Sequence, residues 1–386
     1  FIFLIFLCME ITEIEGVFCN GIKEGKLGLG IVKCRGSVVG VFTKNKIKAA
    51  PVIVCREHIS DGKIEGLIVN SGNANAFTGK EGIEDAREMC RIAAKLMGCY
   101  ERDIAVASTG VIGKRLDMKW IKEKASIVFS EIGSSVKHAE NFAKAITTTD
   151  RFLKKSHSKK PKISAVAKGA GMISPNMATM LCFIFTSASY DSGELYEMLK
   201  QAVDNSFNRL SVDGDMSTND TVLLISTGRE KVKKEEFQEK LNEVCLSIAR
   251  QIAKDGEGAT KLIEVYVTGA VDENDAIKAA KAVASSLLVK TAIFGNDPNW
   301  GRIIAALGYS GAEVDETISI SLEGAGEVKL VEKGKPLNNE SIARKVLENS
   351  NEIRLVINLH KGTGEGYALG CDLSYEYIKL NSEYTT

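Results

Sequence analysis

Thr179 is the residue on which chemistry could turn. It closes a glycine-rich stretch, Lys168–Leu181 (KGAGMISPNMATML), and stands just ahead of a Met-Leu-Cys-Phe-Ile-Phe run that spans Met180 to Phe185. That run has the length and composition of a buried strand. A threonine hydroxyl is a weak nucleophile until a base takes its proton. One base within reach is the residue's own α-amine, which exists only if the Ala178–Thr179 bond is cut. An α-amine titrates near ~8, so a small downward push makes it a usable base at neutral pH. Lys168, eleven residues upstream, carries a like charge that would supply such a push. By spacing alone, the commoner fate of Thr179 is to open a strand as a plain β-branched residue, and Lys168 could as well be a surface lysine on a turn.

Other segments offer partners for such a nucleophile. Ser108–Lys114 (STGVIGK) is not a phosphate loop, because two residues rather than four separate its glycines and Arg115 follows the lysine. It does place the Thr109 hydroxyl beside the Gly110 backbone N–H at the end of an expected strand. Two such donors can hold the oxygen of a tetrahedral intermediate, although a tight turn is the plainer reading. Asp213–Asp220 (DGDMSTND) lacks the glycine and terminal glutamate of a calcium loop, and reads as a capped turn feeding a strand from Thr221. The Lys168–Gly171 glycines form only part of a dinucleotide fingerprint. Glu257 sits in a glycine-flanked turn where a solvated carboxylate is the usual outcome. Thr148, within Thr147-Thr148-Thr149-Asp150, reads as a helix-ending polar turn.

Taken together and in order, these segments resemble the ornithine acetyltransferase family, arginine-biosynthesis enzymes that also include bifunctional glutamate N-acetyltransferases. The resemblance rests on KGAGMISPNMATML, NSGNANAFTG from Asn70, STGVIG from Ser108, TTD from Thr148 and SVDGDMSTNDT from Ser211. KDGEGATK from Lys254, GNDPNWGRI from Gly295 and the tail GCDLSYEYIKLNSEYTT complete it. The resemblance implies a self-cleaving enzyme with an α chain of residues 9–178 and a β chain of 179–386. Cleavage falls between Ala178 and Thr179, and Thr179 serves as both nucleophile and α-amine base. Thr109 and Gly110 are implied as oxyanion hole, and Glu257 as a catalytic and substrate-site carboxylate. Thr148, Lys168, Thr179, Glu257, Asn381 and Thr386 are the implied substrate contacts. The implied substrates are N-acetylornithine and glutamate, without metal or cofactor; acetyl-CoA is a further substrate only if the enzyme is bifunctional. A dimer of cleaved protomers, a heterotetramer, is implied as well. An N-terminal-nucleophile amidase or aminopeptidase that passes its acyl group to water remains an alternative of a different kind.

Composition sets the frame. The chain has 386 residues, 44% hydrophobic and 26% charged, with 50 basic residues balancing 50 acidic ones. This is the profile of a soluble globular protein, and no basic excess invites nucleic acid. Nine cysteines without a CxxC pair suit free thiols in a reducing cytoplasm. Four histidines, none in metal-ligand spacing, argue against zinc. Residues 1–8 (FIFLIFLC) are apolar but too short to span a bilayer. They read as an upstream extension outside the fold, with Met9 as the expected start.

Helical periodicity marks Gly82–Met97, Leu116–Ser130, Ser192–Asn205, Lys234–Lys254, Asp275–Leu288 and Ser341–Glu348. Strand-like runs lie at Gly66–Val69, Ile104–Ser108, Met180–Thr186, Thr221–Ser226, Leu262–Thr268, Ile318–Leu322 and Ile353–Leu359. Such intermixing predicts an α/β fold; with the resemblance, it becomes a layered α-β-β-α type sandwich with an additional smaller α/β domain. Leu153–Lys162 reads as a flexible insertion, with Lys154, Lys155, Lys159, Lys160 and Lys162 solvated upon it.

Overall fold

The structure is a computed structural model that describes residues 9–174 and 180–383. Ala178, Thr179 and Thr386 lie outside the described residues, as do positions 1–8. Among the described residues, eight strands form a large sheet: β1 (Phe18–Glu24), β2 (Leu27–Phe42), β3 (Lys63–Asn73), β4 (Ile104–Val111), β5 (Lys154–Lys159), β6 (Lys162–Lys168), β7 (Leu181–Ala188) and β8 (Thr221–Glu230). Their order is β4-β3-β2-β8-β7-β6-β5, with β1 paired to β2. A smaller sheet holds β9 (Leu262–Ala270), β10 (Ser319–Glu323), β11 (Glu327–Glu332), β12 (Lys335–Pro336), β13 (Glu352–Asn358) and β14 (Gly364–Cys371), in the order β12-β11-β10-β13-β9-β14.

Helices cover both sheets. Residues of α1 (Ala50–His58), α2 (Gly79–Met97), α3 (Met118–Ser130) and α4 (Val136–Ile146) share one core with the large sheet, while α5 (Ser192–Asp204) and α6 (Lys234–Lys254) share a second. That second core extends to Leu262, Leu369 and Cys371 of the smaller sheet. The third core joins the smaller sheet to α7 (Glu273–Ser285), α8 (Leu287–Phe294), α9 (Trp300–Gly308) and α10 (Glu340–Glu348). The mixed α/β class, the layering of helices on sheets and the smaller α/β body are those expected from the sequence. No helix among the described residues is long and apolar enough to cross a membrane.

The apolar run after Thr179 owes its composition to its place. Strand β7 lies inside the large sheet, between β6 and β8. Leu181, Phe183 and Phe185 enter the core beneath α1–α4, whereas Cys182 and Ile184 enter the one beneath α5 and α6. Both faces are dry, so polar alternation is absent. Phe183 also meets Phe142 of α4 with ring centroids 6.0 Å apart. Burial of each large apolar side chain contributes about 1.5–3 kcal/mol.

Two expectations are corrected. Leu153–Lys162 is no flexible insertion: β5 and β6 form an antiparallel hairpin from Lys154↔Ala167 to Lys159↔Lys162. Strand β5 is the sheet edge, where the exposed Lys159 discourages pairing with another chain. Nor are all its lysines solvated, since Lys154 is fully buried and Lys155 reaches Glu10. The anions that hold Lys154 lie four and 101 residues away, beyond any local pattern. The expected Asp275–Leu288 helix also breaks, because the Ser286 hydroxyl accepts the Val289 N–H and caps a new helix.

Candidate active site

The ends of several strands converge on a cavity of about 400 Å³ whose wall includes Thr109, Gly110, Thr148, Lys168, Glu257 and Asn381. These are six of the expected site residues, drawn from segments up to 272 residues apart in sequence. Ala178, Thr179 and Thr386 are the remaining ones and fall outside the described residues.

Thr109 and Gly110 sit at the end of β4, in register with Ser71 and Gly72 of β3. Gly110 has φ +132°, and a Cβ there would come 2.3 Å from the Gly72 carbonyl carbon. Only glycine permits that conformation and that approach. The Asn219 amide secures both strand ends, donating to the carbonyls of Ala74 at 2.7 Å and Ser108 at 2.8 Å.

Lys168 ends β6 and is 3% exposed, with its Nζ 3.4 Å from the Thr109 hydroxyl. Burial pushes its pKa down. Asp150 pulls it back, Lys154 opposes that pull, and Glu257 and Asp220 assist it. Lys23 stands nearby, donating to Ser71 Oγ at 2.8 Å and to the Thr147 carbonyl. Burial and the Lys168 charge lower its pKa to about 8.

Glu257 is a junction rather than a solvated turn carboxylate. Its Oε1 accepts from Thr149 Oγ1 at 2.8 Å and its Oε2 from Asn381 Nδ2 at 3.0 Å. A Cβ on Gly171 would lie 2.3 Å from Oε2, so the glycine lets the upstream segment close over the carboxylate. Asn381 belongs to α11 (Tyr375–Glu383), a helix with no buried residues. The Asn381–Glu257 bond and a 2.6 Å bond from Ser374 Oγ to the Gly258 carbonyl hold it at the cavity rim, where a chain end would otherwise fray.

Sequence reasoning missed four acidic or amide residues here. Asp150 accepts from the Thr148 N–H at 3.0 Å. Asp213 accepts from the N–H groups of Met172 at 2.6 Å and Ile173 at 2.8 Å, holding Met172 at φ +56°, a strained conformation for a side-chain-bearing residue. Asp220 is wholly buried and accepts the Met180 N–H at 3.1 Å, anchoring the residue that follows Thr179. Burial raises its pKa well above the ordinary carboxylate value, against the pull of that bond and of Lys168. Asn219 is the fourth. Asp213, Asn219 and Asp220 were visible in SVDGDMSTND, but a capped turn and an anchor look alike in sequence.

This clustering of distant motifs agrees with the comparison to known proteins. Residues 14–386 match the model of the ArgJ family. The chain belongs to the ArgJ family. Among curated relatives, the arginine biosynthesis bifunctional protein ArgJ of Archaeoglobus fulgidus is 66% identical over 98% of this chain and 100% of its own. A glutamate N-acetyltransferase of Methanosarcina mazei is 48% identical over 97% of this chain and 98% of its own. Among ArgJ structures, the crystal structure of the arginine biosynthesis bifunctional protein from Bacillus halodurans aligns with a TM-score of 0.50 at 42% identity. It covers 98% of that chain and 52% of this one.

Proposed function

We propose that the protein transfers the acetyl group of N2-acetyl-L-ornithine to L-glutamate through an acetyl ester on Thr179, formed after self-cleavage at Ala178–Thr179. The observation that carries this reading is the gathering of Thr109, Gly110, Thr148, Lys168, Glu257 and Asn381 about one cavity, beside the strand that opens two residues after Thr179. Leu181 pairs with Lys168 in the β6–β7 register. The large sheet also interleaves the two expected chains, because β7 and β8 lie between β2 and β6. Products of cleavage would therefore stay bound through ladder hydrogen bonds and shared cores.

In maturation, the Thr179 hydroxyl attacks the Ala178 carbonyl and the C–N bond breaks, which frees the α-amine and leaves an ester; water then hydrolyses the ester to an Ala178 carboxylate and the free Thr179 hydroxyl. In turnover, that amine takes the hydroxyl proton as the oxygen attacks the acetyl carbonyl. Thr109 and Gly110 stabilise the oxyanion; the C–N bond breaks and ornithine leaves with the proton on its nitrogen. Glutamate then enters, and its amine attacks the ester to regenerate Thr179. Both substrates carry an α-carboxylate, which Lys168 and the Thr148 hydroxyl receive, with Thr386 as the further expected contact. Glu257 faces the substrate amine. The chemistry requires neither metal nor bound cofactor. The assembly is a dimer of cleaved protomers, a heterotetramer, in the cytoplasm.

The test is ornithine release from acetylornithine with and without glutamate. Acceptor-dependent release supports transfer; equal release without acceptor makes the enzyme an amidase. Thr109→Ala should lower kcat by about 10²–10³-fold, read as the rate of ornithine release at saturating substrate.

A bifunctional enzyme that also acetylates glutamate from acetyl-CoA is the second reading. The word "bifunctional" in the name of the 66%-identical relative favours it. Formation of N-acetylglutamate from acetyl-CoA at a rate comparable to transfer from acetylornithine is the expected result under that reading, and its absence restricts the enzyme to the ornithine cycle.

A further inference from the structure

We propose that Asp150 is the positioning residue of the substrate-carboxylate site: its oxygens fix the Thr148 turn and the backbone beyond Lys168, and its charge balances the buried Lys168 ammonium that receives the carboxylate. The inference rests on the acetyl-transfer reading above. Asp150 has a fully buried side chain. Its Oδ2 accepts the Thr148 N–H at 3.0 Å, and its Oδ1 accepts the Gly169 N–H at 2.8 Å and Lys154 Nζ at 2.6 Å. One carboxylate thus ties the turn that presents Thr148 to the strand end that presents Lys168.

The charge argument follows from which groups are already committed. Asp150, Glu257 and Asp220 face Lys168 as anions or acids, and Lys154 and Lys23 face it as cations. Glu257 is engaged by Thr149 and Asn381, and Asp220 by Met180. Lys154 is shared between Asp150 and Asp255. Lys168 itself has a single 3.4 Å contact, to Thr109, among the described residues. Two of its three N–H donors remain for a carboxylate entering the cavity it lines. Burial raises the Asp150 pKa, but Lys168, Lys154 and the Gly169 N–H outweigh it and hold the group at about 2. Asp150 is therefore anionic throughout the working range, and that charge favours the protonated form of Lys168.

Asp150→Asn keeps the shape and removes the charge. Lys168, left with Glu257 and Asp220 but without the Asp150 charge to offset Lys154 and Lys23, then loses its proton at lower pH than in the wild type. KM for acetylornithine and for glutamate should rise about tenfold per pH unit above the shifted value, with kcat much less affected. Adding Lys168→Arg to that variant should abolish the alkaline rise, since a guanidinium stays charged. A merely structural Asp150 would depress activity at every pH and would gain nothing from the arginine. A wild-type KM–pH profile in Asp150→Asn overturns the proposal, as does a rise that survives Lys168→Arg. If the Asn variant does not fold, Asp150→Glu retains the charge and should retain the wild-type alkaline limb while raising KM; a limb moved to lower pH overturns it. Ornithine binding followed by calorimetry in the same variants reads the carboxylate site whether or not acetyl is transferred. A wild type that binds ornithine but transfers nothing therefore counts against the acetyl-transfer reading alone.

Discussion

Thr179→Ala is expected to yield a single polypeptide near 41.8 kDa with acetyl transfer reduced by at least about 10⁴-fold. In the proposed mechanism the substitution removes the hydroxyl that attacks the Ala178 carbonyl, so the backbone should stay continuous and the α-amine should not form. Nucleophile and base vanish in one change, and what remains is binding and oxyanion stabilisation by Thr109 and Gly110. Thr179→Ser keeps both groups and should still cleave and turn over. Intact mass and ornithine release on the same samples decide the matter. Two fragments meeting at residue 179 in the alanine variant, or wild-type turnover from it, would sink the mechanism.

Lys154→Met should be the most destabilising single change in the body of the protein, at about 3–5 kcal/mol. Lys154 Nζ lies between the carboxylates of Asp150 and Asp255, and all three side chains are fully buried. Removing the cation leaves two buried carboxylates close together, Asp255 paired to the half-exposed Arg151 and Asp150 offset by Lys168 and two backbone N–H groups. The thermal midpoint should fall by about 5 °C, measured by calorimetry at neutral pH. A fall of a degree or less would show that the two acids are satisfied without the lysine. The pH dependence has a definite sign. Asp150 is held at about 2 in the fold, below its unfolded value near ~3.9. Its contribution is therefore complete above about pH 4 and is lost as pH falls through about 2. With Lys154 gone, part of the depression goes too, and stability should change less steeply across that window.

Much of the fold could be read along the chain. Helix α6 occupies the expected Lys234–Lys254, and β4, β7, β8 and β9 lie where apolar runs of strand length placed them. Such elements bury one stripe or two faces, and burial writes itself into composition. Strands β1 and β2 left a weaker trace. The FCNGIKE and LGLGIVKCRGSVVGVF segments mix glycines, charges and apolar residues, and β2 takes its stability from β1, β3 and β8 as neighbours. The β5–β6 hairpin was hidden for a related reason: its lysines look solvated until Asp150 and Asp255 are brought to them.

The site divides along the same line. Residue type and motif order determined the chemistry available to this chain: a threonine at the close of a glycine-rich stretch, a Thr-Gly pair, a lysine and a glutamate in glycine-rich turns. Chemical identity is local, and so it survives in a one-dimensional string. Only the tertiary structure decided that Asp150 joins the Thr148 turn to Lys168, that Asp220 anchors the residue after Thr179, and that Glu257 is clasped between Thr149 and Asn381. Those roles depend on distances between segments remote in sequence, and on burial that makes each charge depend on its neighbours. Neither quantity exists until the chain has folded.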